Sequence, residues 1–193
     1  MLGMSPRAAA RPGGRSARVQ QSVHTAVREL QAEHGRDDLT VPQIAARAGV
    51  TPSTVYRRWG SLSELLSDVA VERLRPEAQP ADHGNLREDL EHWAADFLEE
   101  MSSPPGRSYI RDALSGDPDG SNAGQCSGYA VEQVTTILHR AAERGEDVPD
   151  TDTVMDHIVA PLMYRILFRP GLLDPRYARD LVTTVFYRLM PLP

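Results

Sequence analysis

At 193 residues and 40 % hydrophobic content, the chain can bury a sizeable core, which excludes wholesale disorder. The formal net charge is -6, but residues 1–75 hold 11 arginines against 7 acids and residues 76–193 hold 10 against 20. That imbalance limits any anionic partner to the first part of the chain.

Residues 1–15, rich in Arg, Pro, Gly and Ala, read as a disordered basic arm. From Ser16 the pattern is helical: Val19, Val23, Ala26, Val27 and Leu30 recur at helical spacing, and Gly35 can end the helix. Three start signals follow closely. Thr40 with Gln43 makes a capping box, with Leu39 and Ile44 as a hydrophobic staple. Thr51 is a second N-cap, followed by Pro52 and stapled by Val50 and Val55. Ser61 with Glu64 opens a third helix. RPEAQPADHG (75–84) reads as a linker or bent connection. Leu86, Leu90, Trp93, Ala94, Phe97, Leu98 and Met101 then form a wide apolar stripe on one long helix. A short helix is expected over Ser108–Leu114, a loop over 115–124 and a longer helix over Gln125–Arg144. Two more helices are expected after Asp152 and Asp174. No period-2 strand pattern stands out, so the chain is expected to be all-α with about nine helices.

The segment Thr40–Ser61 carries three arginines and no acid. Read as helix, turn, helix, it places Ile44 and Ala48 inward, Ala45 at the close approach and Gly49 at the turn. With Val55 inward and about 100° per residue, Ser53 and Arg57 point outward, Thr54 and Tyr56 flank them, and Arg58 lies nearer the edge. Hydroxyl, phenol and guanidinium groups without a carboxylate suit base edges and phosphate oxygens. Trp59 is expected to turn inward.

On these residues, TVPQIAARAGVTPSTVYRRWGSLSELL resembles the DNA-binding domain of the TetR/AcrR family of transcriptional regulators. The likeness spans about Ser16 to Arg75. HRAAERGEDVPD with DHIVAPLMYRILF resembles the last helices of one C-terminal subgroup. The resemblance implies an N-terminal three-helix DNA-binding domain over 16–75, and an effector-binding and dimerisation domain over 76–193. It also implies a repressor released from a near-palindromic operator by a small molecule. DNA contacts are then expected from Thr40, Arg47, Thr51, Ser53, Thr54, Tyr56, Arg57 and Arg58. One departure is Leu62, where many members carry a phosphate-gripping lysine; Arg58 either compensates or one contact is missing.

In such a family the helix of Trp93, Phe97 and Met101 lines an effector pocket, with Tyr109, Cys126, Tyr129, Met155 and Tyr164 as co-lining candidates; ordinary core packing is the competing reading for each. The apolar stripes of the last two helices suggest a two-fold dimer interface built from Ile158, Leu162, Ile166, Val182, Val185, Phe186 and Leu189. No cofactor or metal is expected, and no motif of an enzyme is present: no HExxH, nucleophile elbow or glycine-rich phosphate loop. Spacing gives His92, His139 and His157 no support as ligands. The single cysteine, Cys126, cannot form an internal disulfide, so a cytoplasmic protein is expected. No run approaches the roughly 20 apolar residues of a membrane helix. The rival reading is a small-molecule binding or interaction protein of the same fold that does not act by operator release.

Overall fold

Among the described residues, 13–189 of the computed structural model, every regular element is helical. The chain divides into two compact units at Val69/Ala70.

The first unit is built by local signals. α1 (Gly13–His34) begins three residues earlier than the apolar pattern suggested; residues 1–12 of the expected basic arm lie outside the described residues. α2 (Val41–Ala48) opens on a complete capping box: the Gln43 N–H donates to Thr40 Oγ1, and the Thr40 N–H donates to Gln43 Oε1 at 3.0 Å. Gly49 then takes φ 68°, ψ 31°, and its N–H donates back to the Ala45 and Ala46 carbonyls. An added Cβ at Gly49 would meet nothing within 4 Å, so the left-handed backbone, rather than close packing, is what requires glycine there. α3 (Pro52–Trp59) follows at once, and α4 (Leu62–Leu74) starts behind it. Val23 and Val27 of α1, Ile44 and Ala45 of α2, Val55 of α3 and Leu65 of α4 are fully buried together. Burial of each large aliphatic side chain contributes about 1.5–3 kcal/mol, against about 1 kcal/mol for a cap. Packing therefore fixes the helices, and the caps decide where they begin.

In the second unit α5 (Leu86–Ser102) is the central rod, with α10 (Pro175–Leu189) packed along it. α6 (Pro104–Ser115) starts sooner than expected, capped by Ser103. α7 (Ser121–Glu143) also starts sooner, inside the stretch expected to be loop. Its first turn is held by Asp117, whose carboxylate accepts the N–H groups of Asn122 and Ala123 at 3.0 and 2.7 Å. That cap lies outside the usual N-cap spacing, and glycine-rich composition concealed the helix behind it.

α8 (Thr151–Val154) is capped by Asp150 and passes through a π-turn (Met155–Val159) into α9 (Ala160–Phe168). The π-turn has a cause in the sequence. Pro161 has no N–H for the His157 carbonyl and its ring crowds that position; the wider turn just ahead opens the space. Counted as one rod, α8, the π-turn and α9 bring the described residues to nine helices, apart from a short 3-10 turn at Pro170–Leu172.

The expected linker is tied down. Gln133 donates to the Ala78 carbonyl at 2.9 Å and Arg140 to the Ala81 carbonyl at 2.9 Å, and Pro80 is buried. Its far end is anchored by Asp89, whose side chain is fully buried and accepts the His83 N–H and Arg144 Nη2. Arg144 also meets Asp82 and Glu146. The segment is a strap bound along α7.

Candidate nucleic-acid interface and ligand cavity

Thr51 stands in extended conformation before α3, but its hydroxyl does not cap the helix. It meets Ser53 Oγ at 2.9 Å and Thr54 Oγ1 at 3.0 Å instead. Pro52 has no N–H and the Thr54 N–H donates to the Thr51 carbonyl at 2.9 Å, so the Ser53 N–H is the group this helix start offers an anion. Behind them Val55 and Trp59 are buried, while Ser53, Tyr56, Arg57 and Arg58 are exposed and Thr54 is half-buried. The exposed side chains are the ones the helical phase indicated. Arg57 has no partner among the described residues.

The two neighbouring arginines differ. Arg47, expected to face DNA, is drawn onto α1: it contacts Glu33 at 2.7 Å and Glu29 at 3.1 Å. The Glu33 carboxyl is held below its usual range by the hydrogen bond from Arg47. The acids lie 14 and 18 residues away in sequence, so local reading of an acid-free segment could not show them. Arg58 likewise hooks back to α1, donating to Ser16 Oγ and Gln20 Oε1, both at 2.6 Å. These bonds tie α3 to α1.

Sequence reasoning missed the hub of this unit. Asp68 on α4 accepts Trp59 Nε1 at 2.7 Å and Gln20 Nε2 at 3.2 Å, and meets buried His24 at 3.0 Å. Burial works against charge on Asp68, but the hydrogen bonds from His24 and Trp59 outweigh it and hold the carboxyl below its usual range. One carboxylate thus fixes the end of α3 to α1 and α4. The signal was available: an aspartate set between the apolar residues Leu65–Leu66 and Val69–Val71 of α4.

The second unit holds a cavity of about 560 Å³. Trp93, Phe97, Met101, Cys126, Tyr129 and Met155 line it, as the sequence suggested; Leu74, Gln133, Met163 and the strap residues were missed. The Trp93 and Phe97 rings stack at 5.4 Å. Burial, with Asp117 nearby, pushes the Cys126 thiol up to about 11, so it is a protonated wall group rather than a nucleophile. Two expectations fail. Tyr109 packs with Ala70, Val71 and Ala113 outside the cavity, beneath Arg73. Tyr164 is 55 % exposed and pairs with Phe168 on the outer face of α9.

The expected dimer residues are also relocated. Ile158, Leu162, Ile166, Val182 and Val185 are all at 0 % exposure inside the unit's own core, where α5 packs along the face of α10 that holds Val182 and Val185. Phe186 is half-buried under Arg87, and the Leu189 side chain lies outside the described residues. What α9 and α10 expose instead is Phe168 at 70 % and Tyr187 at 71 %, with Tyr164.

A helix-turn-helix with an acid-free outer face, joined to a helical unit enclosing a cavity, defines a helix-turn-helix regulator. Residues 25–69 match the family model for bacterial regulatory proteins of the tetR family, and residues 80–185 match that of the Tetracyclin repressor-like C-terminal domain. The chain belongs to the TetR family of transcriptional regulators. It is similar to the HTH-type transcriptional regulator Rv1556 of Mycobacterium tuberculosis, 44 % identical over 79 residues; the match spans 41 % of this chain and only 39 % of that relative. The HTH-type transcriptional regulator YdeS of Bacillus subtilis is 24 % identical over 182 residues, covering 87 % of this chain and 88 % of its own. Among solved structures, the fold resembles FadR of Thermus thermophilus, a transcriptional repressor in complex with lauroyl-CoA: TM-score 0.62, 18 % identity, 90 % of this chain and 96 % of that one. No helix among the described residues is long and apolar enough to cross a membrane.

Proposed function

We propose that the protein is a homodimeric repressor that holds a near-palindromic DNA operator through α3 and leaves it when a small molecule fills the cavity of the second unit. The observation that carries this reading is the outer face of α3, where Ser53, Tyr56 and Arg57 are exposed beside a helix start without a side-chain cap. Arg57 can reach a base edge or phosphate, and Tyr56 and Thr51 can donate to phosphate oxygens. Thr40 is exposed at the start of α2, where its hydroxyl can meet the backbone in the same way. A second copy is expected on the exposed aromatics of α9 and α10, which would present two α3 helices to successive major grooves about 34–36 Å apart.

Release by an effector is supported by the continuity of α4. Leu65, Leu66 and Val69 belong to the first core, and Leu74 of the same helix lines the cavity. A ligand that shifts the last turn of α4 would bear on Asp68 and, through Trp59, on α3.

The test is selection of bound fragments from genomic DNA, followed by salt titration. A discrete operator whose affinity falls steeply with salt supports the reading. Salt-independent or absent binding, with ligand binding intact, would leave a small-molecule binding protein of the same fold. For the dimer, Phe168→Asp should shift light scattering towards monomer while the helical circular dichroism stays unchanged; a persistent dimer would remove that face from the interface.

A further inference from the structure

We infer that the ligand of the cavity is an amphipathic organic cation: an apolar body of drug-like size carrying one ammonium-type charge. This rests on the reading of the cavity as an effector site and adds the chemistry of the effector.

The charged and titratable side chains of the lining, apart from Cys126 and Tyr129, are Glu77, Asp89, Asp96, Glu100, His83 and His92; no arginine lines the cavity and the chain has no lysine. Asp89 is already balanced by Arg144 at 3.0 Å and by the His83 N–H. Asp96 and Glu100 have no ion-pair or side-chain hydrogen-bond partner among the described residues. They continue from His92 along one edge of α5, at i and i+4, directly beside the Trp93, Phe97, Met101 stripe that forms the wall. Acid and aromatic edges therefore run in parallel along one helix.

The remaining polar groups also offer lone pairs. His92 Nδ1 is 2.8 Å from the Glu88 carbonyl and so donates to it, which leaves Nε2 outside that bond. Gln133 directs its amide nitrogen to the Ala78 carbonyl, which leaves Oε1. His83 stacks on His92 with ring centroids 4.0 Å apart, closing that end with flat π surface. The stacked Trp93 and Phe97 rings add faces that attract a cation. A carboxylate or phosphate head would meet unpaired carboxylates and no guanidinium to neutralise it, whereas an ammonium head gains both carboxylates and ring faces. A volume of about 560 Å³ lies in the range of drug-sized ligands.

The experiment is calorimetric titration of the full chain with tetraphenylphosphonium and with tetraphenylborate, which share one apolar body and differ in the sign of charge. The phosphonium should bind at least roughly tenfold tighter, the size expected of a few partly exposed charge and ring contacts. The double variant Asp96→Asn with Glu100→Gln should narrow that preference by a similar factor; both side chains are exposed, and circular dichroism checks the fold. Equal or tighter borate binding, a preference that survives the double variant, or binding of neither ion overturns the assignment. Repeating the titration with operator DNA separates the two readings. Phosphonium that binds with the stated preference but leaves DNA bound supports the cation assignment and sinks effector release. Borate that binds more tightly and releases DNA does the reverse.

Discussion

The outer face of α3 and the cavity beside α5 are both built from polar groups around an apolar support, yet they handle those groups in opposite ways. In the first unit nearly every polar side chain behind the surface is engaged. Arg47 is paired with Glu33 and Glu29, Arg58 with Ser16 and Gln20, and Asp68 with Trp59 and His24. The outward face of α3 stays open, as a surface for a partner of fixed shape requires. In the second unit the strap and Asp89 are tied down, while Asp96 and Glu100 have no side-chain partner among the described residues. A surface that reads a repeating polymer gains from pre-organisation; a cavity that takes a small molecule needs open groups and room.

The largest break to that comparison is Ile44→Ala. Ile44 is fully buried beneath the turn, so truncation should lower stability by about 2–5 kcal/mol. Thermal unfolding should show the loss, and DNA binding should fall while tetraphenylphosphonium binding persists. Loss of both together would show that the units do not unfold separately. A smaller effect is expected from Asp68→Asn, which removes the charged acceptor of Trp59 and should cost about 1–3 kcal/mol. The sign of its pH dependence is fixed by the lowered folded value of Asp68. Its contribution is fully present above the unfolded value near pH 4 and is lost as pH falls through the lower folded one. The wild type should therefore converge on Asp68→Asn in strong acid; a gap that stays constant down to about pH 2 would remove Asp68 as the clamp.

The same contrast explains what the sequence could reveal. Capping boxes, staples, the glycine turn and the phase of α3 are local, so Thr40, Gly49, Val55 and Trp59 could be placed from spacing alone. The cavity joins residues from Leu74 to Met163, and no period marks them. Stripe width on α9 and α10 was legible, but it was not legible that α5 would take the side holding Val182 and Val185; only packing decides which of two apolar edges faces a partner. Arg47 was misplaced for a related reason: the acids that hold it belong to another helix. The strap was hidden because proline-rich composition reports the lack of helix and says nothing of what binds the backbone.

The most direct test compares Arg57→Ala with Arg47→Ala in operator binding across a salt series. Arg57 is exposed and has no partner among the described residues, and its loss should weaken binding by about 1–3 kcal/mol, or lower the salt slope by about 1 if it meets a phosphate. Arg47→Ala, which removes only exposed ion pairs to α1, should change DNA affinity by about 0–1 kcal/mol. The reverse order, with Arg47 essential and Arg57 dispensable, would contradict the assignment of the α3 face as the surface that meets DNA.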